Sequence, residues 1–456
     1  MAAAAGAPTA FGANRPEAPI LQGTSVSWRD LATSVSNCEV TYVDDADPES
    51  IRRALWQTTV DYGTYRWDLS PFIGSRERRR IVGDFVVRTH DMARERKYRD
   101  TVTLCAAGQD SHGVFSDDLL FFTTISGKRR HFAPVPYRAF FPKGLSHLLV
   151  TGLGISAERD ALAVMRMQAD LQNEGYAAGR AAATAALEGK DPAEIDVRAL
   201  QRHLVEKQII EPEVLTHEDT PPLTAAELTA LLPKVICATN DNLDGIWEFY
   251  AAGDVARTLV AGLAKNPPAK PGTPEARHFA LLAAAMGARG CEKELVDWLA
   301  QPEGGTNLWD KGYSSAICYG RRFSNRDEAV IALAHLGHAP FAPLLAKMMA
   351  ALPDEADYSH LRACAIYLDA VPERACAPEL ARILKQVRGH AQSFSDAAMP
   401  KFPKKRIHPS AKELLVARAL YKLGDVDGLA KEVLESYRNE PVKVFADFAR
   451  RALEGK

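Results

Sequence analysis

The pattern of apolar residues changes near residue 220, and this change constrains the fold more than any other feature of the chain. Before it, short strand-like runs alternate with helical stretches, which is typical of an α+β or α/β domain. After it, Leu and Ala recur at the i, i+3, i+4 spacing of helices that bury one face. Between the two halves, residues 211–224 contain three prolines and several acids, so we predict a linker there.

The predicted organisation follows from this division. It consists of a flexible tail over residues 1–20, an α+β domain over 21–210, the linker over 211–224 and an all-α domain over 225–456. Within the first half, strands are predicted at residues 38–43, 80–88, 101–105, 119–125 and 147–151. Helices are predicted at residues 157–171, 177–187 and 196–206.

The second half repeats a unit of two apolar helices joined by a turn. The units cover residues 277–299, 326–349, 360–384 and 411–437, and their turns contain Gly290, Gly337, Pro372 and Gly424. The turns at Gly337 and Gly424 are 87 residues apart, or two units of roughly 40–47 residues. The pattern resembles a HEAT-like α-solenoid, which would offer a concave surface to a partner protein. An irregular helical bundle is the alternative.

Charge and composition limit the partners of the chain. Lys and Arg number 56 against 58 Asp and Glu, for a net charge of −2, so no overall field attracts nucleic acid or an anionic membrane. No apolar run is long enough to span a bilayer, and the N-terminus lacks a signal-peptide pattern, so a cytoplasmic location is predicted. The seven cysteines are not spaced as metal ligands, and we predict no metal site.

Four segments of the first half carry recognisable motifs in a fixed order. They are IGSRERRRIVGDF at 73–85, the stretch Asp110-Ser111-His112, VPYRAFFPKGLSHLLVTG at 135–152, and residues 154–186. In the last segment Ser156 precedes Arg166 by ten residues, and Arg166 precedes a G-x-A-A-G pattern by nine. Together the segments resemble the C-terminal part of a bacterial family of FAD-dependent oxidoreductases, over roughly residues 50–205.

The resemblance implies FAD as the cofactor and hydride transfer to the flavin from a CH–OH or CH–CH donor, a small and possibly carbohydrate-like molecule. The cofactor contacts that it implies are Gly152, Gly154, Ser156, Arg166, Met167 and Gln168. Glycines would let the backbone approach a ligand closely, and the helix that follows would offer its N–H groups to phosphate or to a flavin carbonyl. Packing of helix against sheet would explain the same small residues without a ligand.

The resemblance also implies catalytic and substrate-binding residues. His112, with Asp110, would transfer a proton, since removal of hydride from an alcohol needs a base; otherwise His112 is a turn residue. Arg76 and Arg79 would hold the substrate, and a solvated basic edge is the alternative for them.

Three departures from the family pattern affect this interpretation. Leu153 replaces a usual Arg, Arg159 replaces a usual His, and residues 1–50 lack the family's N-terminal strand–GxGxxG–helix motif. Gly152, Gly154 and Ala157 match a GxGxxA fingerprint, but no second strand ending in an acid follows at the distance that a Rossmann unit requires. We therefore expect a C-terminal portion or a subunit of such an enzyme. The alternative is a non-catalytic helical-repeat interaction protein that carries a remnant of the flavoenzyme domain.

Overall fold

The structure is a computed structural model. It describes residues 80–108, 117, 119–123, 131–303, 305, 307–314, 323–353, 355–391, 404–440 and 443–455, together with short pieces before residue 53. The strands are β1 (Thr9–Ala10), β2 (Thr24–Val26), β3 (Cys38–Thr41), β4 (Arg80–Ile81), β5 (Thr101–Ala107) and β6 (His131–Pro136). The helices of the first half are α1 (Thr89–Ala93), α2 (Leu119–Phe122), α3 (Arg159–Met165), α4 (Gln168–Glu188) and α5 (Val197–Glu206).

The strands form three antiparallel pairs, and the pair of β5 with β6 organises the first half. Its register places Cys105 opposite Ala133 and Ala107 opposite His131. The buried helix α3 packs against both strands, and α4 packs against β5 through the buried Ala177 and Ala178. The described part of the chain is mostly helical with little strand, and the α+β class of the first half stays a prediction.

Several predicted elements of the first half differ from the structure. Within the strand predicted over 119–125, Leu119–Phe122 form the short helix α2 instead, because a brief apolar run does not distinguish a strand from a buried helix. No strand forms over 147–151, where the Val150 N–H donates to the Phe140 carbonyl and the His147 N–H donates to the Asp191 side chain. Of the predicted strand 80–88, only Arg80–Ile81 pairs as a strand, with an isolated bridge at Val87.

The predicted helix over 157–171 is two helices. The helix is interrupted at Arg166 and Met167, where Met167 has the extended ψ of 144° before α4 begins. All seven residues of α3 are buried, whereas Gln168 and Ala169 at the start of α4 are exposed. Since the two segments bury different surfaces, tertiary packing separates them although no Gly or Pro marks the break. The predicted helix over 196–206 is confirmed, with Asp196 as its cap.

The second half consists of helices joined by turns. Its helices are α6 (Ala225–Val235), α7 (Ile246–Ala252), α8 (Asp254–Leu263), α9 (Pro274–Ala285), α10 (Glu292–Leu299), α11 (Asn325–His335), α12 (Ala342–Ala350), α13 (Tyr358–Ala370), α14 (Ala377–Val387), α15 (Lys404–Lys422), α16 (Leu429–Ser436) and α17 (Lys443–Leu453). The helices α9, α11, α13 and α15 pack in series, and α12, α14 and α16 pack in a second series. This order of pairs supports the HEAT-like interpretation, which stays a prediction.

The two halves are joined by specific contacts. All four residues of α2 are buried in the core of the helical half, where α2 contacts α7, α9 and α11. The segment predicted as a linker packs on the first half, with Asp219 accepting two hydrogen bonds of 2.7 Å from Arg138. Arg94 of α1 forms an ion pair with Glu248 of α7, at 3.0 Å. The boundaries of the two domains stay a prediction.

A search of the described helices for membrane spans is negative, because none of them is both long and apolar enough.

Candidate functional site

The turn Gly152–Gly154 lies against the N-terminal half of α4. Gly152 has a φ of +69°, a left-handed conformation that favours glycine, and it begins a single 3-10 turn. Its backbone N–H donates to Glu174 Oε2 of α4 at 3.0 Å, and a Cβ added to Gly152 would lie 3.8 Å from Leu171 Cδ2. The sequence therefore brings two predicted cofactor residues, Gly152 and Gly154, to the side of this helix.

The N-terminus of α4 is open to a ligand. Met167, the residue before the helix, provides no side-chain hydrogen bond to the N–H groups of the first turn. Gln168 and Ala169 are exposed, and Arg166 and Met167 lie half-buried in the break before them. The positive end of the dipole of this 21-residue helix thus faces accessible space. Three predicted cofactor residues, Arg166, Met167 and Gln168, are brought together here.

Two buried polar atoms near this terminus lack hydrogen-bond partners among the residues that the structure describes: Thr151 Oγ1, directly before the Gly152 turn, and Asp170 Oδ2, in the first turn of α4. Burial raises the pKa of Asp170, opposed by a hydrogen bond from the backbone of Ala106. Buried polar groups usually have partners, so these two atoms are candidates for hydrogen bonds to a polar ligand.

Glu174 is a site residue that the sequence analysis missed. Its side chain is fully buried, and besides Gly152 it contacts Cys105 of β5, whose thiol donates to Oε1 at 3.7 Å. Burial raises the pKa of Glu174 to about 8, against the opposing effect of these two hydrogen bonds. The available signal was its spacing, because Glu174 shares the stripe of α4 that buries Ala177, Ala178, Ala181 and Ala185.

Ser156 forms a hydrogen bond within the protein interior. Its side chain is fully buried, and Oγ accepts a hydrogen bond of 2.9 Å from the Gly83 N–H. A Cβ at Gly83 would lie 2.6 Å from the Phe141 carbonyl oxygen, so only glycine fits this close approach. Arg80 joins the same region, since its Nε donates to the Ala157 carbonyl at 3.0 Å. The first and fourth motifs are thus in direct contact, while a cofactor role for Ser156 stays a prediction.

A cavity of about 870 Å³ lies beside this contact. Among the described residues its lining includes Phe85, Phe141 and Leu145 together with Asp84, Arg138 and Asp191. The lining does not include the Gly152 turn or the start of α4.

The remaining predicted residues cannot be placed. His112, Asp110, Arg76 and Arg79 lie outside the described residues. Within the described part of the chain, no group of three or more His, Cys, Asp or Glu side chains is arranged to hold a metal ion.

Residues 20–204 match the family model described as FAD dependent oxidoreductase. No curated protein and no solved structure matches the chain. The matched segment contains every predicted site residue and ends within α5. It supports a general FAD-dependent oxidoreductase function with a small-molecule substrate, and the cofactor that it assigns is FAD.

The residues of the site fit one end of FAD. A helix N-terminus without a side-chain cap offers backbone N–H groups to carbonyl or phosphate oxygens. The glycine turn, whose Gly152 N–H is bonded to Glu174, lets the backbone approach a ligand closely. The Thr151 hydroxyl adds a side chain that can donate or accept. All of these groups are uncharged, and such donors suit the flavin ring as well as the pyrophosphate.

Proposed function

We propose that the chain acts as the C-terminal portion or a subunit of an FAD-dependent oxidoreductase that oxidises a CH–OH or CH–CH donor. The observation that carries this proposal is the left-handed Gly152 turn against the open N-terminus of α4, within the segment that matches the family. FAD, when bound, would accept the hydride of the substrate. The protein would bind and orient both molecules.

The backbone would hold the flavin through the groups already described. We propose that Gly152, Gly154, Met167 and Gln168 contact it, with the dipole of α4 stabilising negative charge on the ring. Arg166, in the break before α4, would add a fixed positive charge. A role for Ser156 would be indirect, through the Gly83 contact.

Proton transfer is assigned to the segment after β5. The backbone of Ala106 donates a hydrogen bond to the carboxyl group of Asp170, so the end of β5 lies near the first turn of α4. Asp110 follows Ala107 by three residues, which span about 10 Å when extended. We propose that His112 accepts the hydroxyl proton as hydride leaves, with Asp110 orienting its ring, and that Arg76 and Arg79 bind a polyhydroxylated substrate.

A titration with FAD, followed by the quenching of flavin fluorescence, tests this proposal. Gln168→Glu places a carboxylate in the open first turn of α4, where it stabilises the helix but competes with the flavin for the N–H groups. We expect FAD to bind about tenfold more weakly to this variant. The control Gln172→Glu adds the same charge at an exposed position one turn later and should bind as the wild type does.

Equal affinity of Gln168→Glu and the wild type would place the flavin elsewhere, and a wild-type chain that binds no FAD would overturn the proposal. The second result would favour the alternative function, a helical-repeat interaction protein with a remnant flavoenzyme domain. The stacking of α9, α11, α13 and α15 supports that alternative, because stacked helix pairs form extended binding surfaces. For both functions, the oxidoreductase and the interaction protein, we also propose a protein partner on these helices and a cytoplasmic location.

A further inference from the structure

Glu174 has an unusual position for an acid. It is fully buried in the seventh position of α4, one turn after the buried Asp170 and one turn before the buried Ala177 and Ala178. A buried carboxyl is costly unless it is neutral or well paired, so a fold that merely needed helix packing would place an apolar residue here. Leucine would fill the same space.

The contacts of Glu174 give the reason for its presence. One oxygen accepts the Gly152 N–H at 3.0 Å, and the other accepts the Cys105 thiol at 3.7 Å. The left-handed φ of +69° at Gly152 turns its N–H toward α4, and Glu174 accepts this N–H. A backbone N–H left without a partner inside the protein is unfavourable, so this acceptor stabilises the turn.

We propose that Glu174 is a positioning residue of the flavin site, because its buried carboxyl group holds the Gly152–Gly154 turn beside the open N-terminus of α4. This inference rests on the proposed function. Glu174 does not touch the flavin in this account. It acts through the backbone of Gly152, which sets where the turn can meet a ligand.

The protonation state of Glu174 affects how it holds the Gly152–Gly154 turn. Burial raises its pKa to about 8, and the carboxyl of Asp170, one turn earlier on the same helix, acts in the same direction. From β5 it faces the Cys105 thiol, whose own pKa burial raises. Tyr176 and His203, between α4 and α5, bond to each other on the exposed side at 2.9 Å. Glu174 is therefore mostly neutral at pH 7, and its ionisation above pH 8 places a buried negative charge beside the carboxyl group of Asp170.

The test measures the FAD dissociation constant between pH 6 and pH 9 for the wild type, Glu174→Gln and Glu174→Leu. The amide of Gln can accept from Gly152 and contact Cys105, so this variant should bind within about twofold of the wild type at pH 7. Leu keeps the volume but removes both hydrogen bonds, and it should weaken binding about tenfold at every pH. Binding by the wild type should weaken above pH 8, and binding by Glu174→Gln should not.

Hydrogen exchange at the Gly152 amide gives a readout that does not depend on flavin. We expect slow exchange in the wild type and in Glu174→Gln, and fast exchange in Glu174→Leu, whose folding is checked by thermal unfolding. If the wild type binds FAD and both variants match it in affinity, pH profile and exchange, the positioning role is wrong while the proposed function stands. If the wild type binds no FAD, the proposed function fails, and the role in a flavin site fails with it.

Discussion

At the scale of single residues, Gly83 packs closely against the backbone of Phe141. Its N–H donates to Ser156 Oγ, and its Cα lies so near the Phe141 carbonyl that a Cβ would be 2.6 Å from that oxygen. The neighbour is backbone, which cannot move aside as a flexible side chain would. The contact joins the motif around Gly83 to the motif that contains Ser156.

Gly83→Ala should therefore lower the free energy of unfolding by about 1–3 kcal/mol, the usual range for overpacking, in a urea titration followed by circular dichroism. Gly179→Ala is the matched control. Gly179 is exposed in the middle of α4 with open space around its Cα, so its replacement should raise stability by about 0.5–1 kcal/mol. If Gly83→Ala were as stable as the wild type, the backbone around Gly83 and Phe141 would have to relax easily.

Residue positions could be predicted from the sequence only where a motif carried them. Gly152 and Gly154 lie at the side of α4, and Met167 and Gln168 lie at its start, while the cofactor contacts that the resemblance implies for them stay predictions. Glu174 was missed because an acid in a helix is usually on the solvated face, and only its place in the alanine stripe indicates burial. The Ser156 hydroxyl bonds to Gly83, a partner 73 residues away that no local pattern reveals, while its predicted cofactor role stays a prediction.

At the scale of elements, a group of acids fixes the entry to α2. Asp117 caps this helix by accepting the Leu119 N–H at 2.8 Å, and its own N–H donates to Asp160. Burial raises the pKa of Asp117, and the charge of Asp160 raises it further. Burial, followed by the charge of Asp117, raises the pKa of Glu158 to about 7, while Glu158 accepts two bonds from Thr89.

Stability should therefore depend on pH in a definite direction. The folded protein keeps a proton on Glu158 that the unfolded chain loses near pH 4.3, so stability should fall as the pH rises from about 4.5 to 7. Glu158→Gln keeps an acceptor for Thr89 and gives Asp117 a permanent donor. Its unfolding temperature should fall less between pH 5 and pH 7.5 than that of the wild type, and an equal fall in both proteins would contradict the assignment.

The elements that could be predicted are those with local signals. Asp196 marks the start of α5, and the glycines at 290, 337 and 424, each with a positive φ, mark turns between helices of the second half. The strand predicted at 119–125 was wrong because Leu119–Phe122 is apolar on every side, which fits a strand or a buried helix equally. The interruption between α3 and α4 at Arg166 and Met167 depends on the surfaces against which the two helices pack. The local sequence does not reveal those surfaces.

At the scale of the whole molecule, α2 connects the two halves. It follows β5 in the chain, yet its side chains are buried in the helical core: Phe121 packs on Phe323 at 5.6 Å between ring centroids, and Phe122 on His335 at 5.4 Å. The change of pattern near residue 220 predicted two domains but could not predict this insertion, because a few apolar residues in the first half carry no sign of their partner. The halves therefore share part of their stability.

Phe121→Ala should lower the stability of the whole chain. Removal of this ring from the core should cost about 3–5 kcal/mol in a urea titration, and protection against hydrogen exchange should fall in β5 as well as in α11. Phe132→Ala is the control, since that ring on β6 is 57% exposed and its loss should change stability little. Loss of protection in α11 alone would mean that the halves are energetically independent.

The central claim, that this chain holds FAD at the start of α4, is tested most directly by the absorbance spectrum of the purified protein after incubation with FAD and removal of free flavin. We predict flavin bands shifted from those of free FAD, and their loss on repeating the experiment with Gln168→Glu under dilute conditions. A colourless wild-type protein that is folded by circular dichroism would contradict the account.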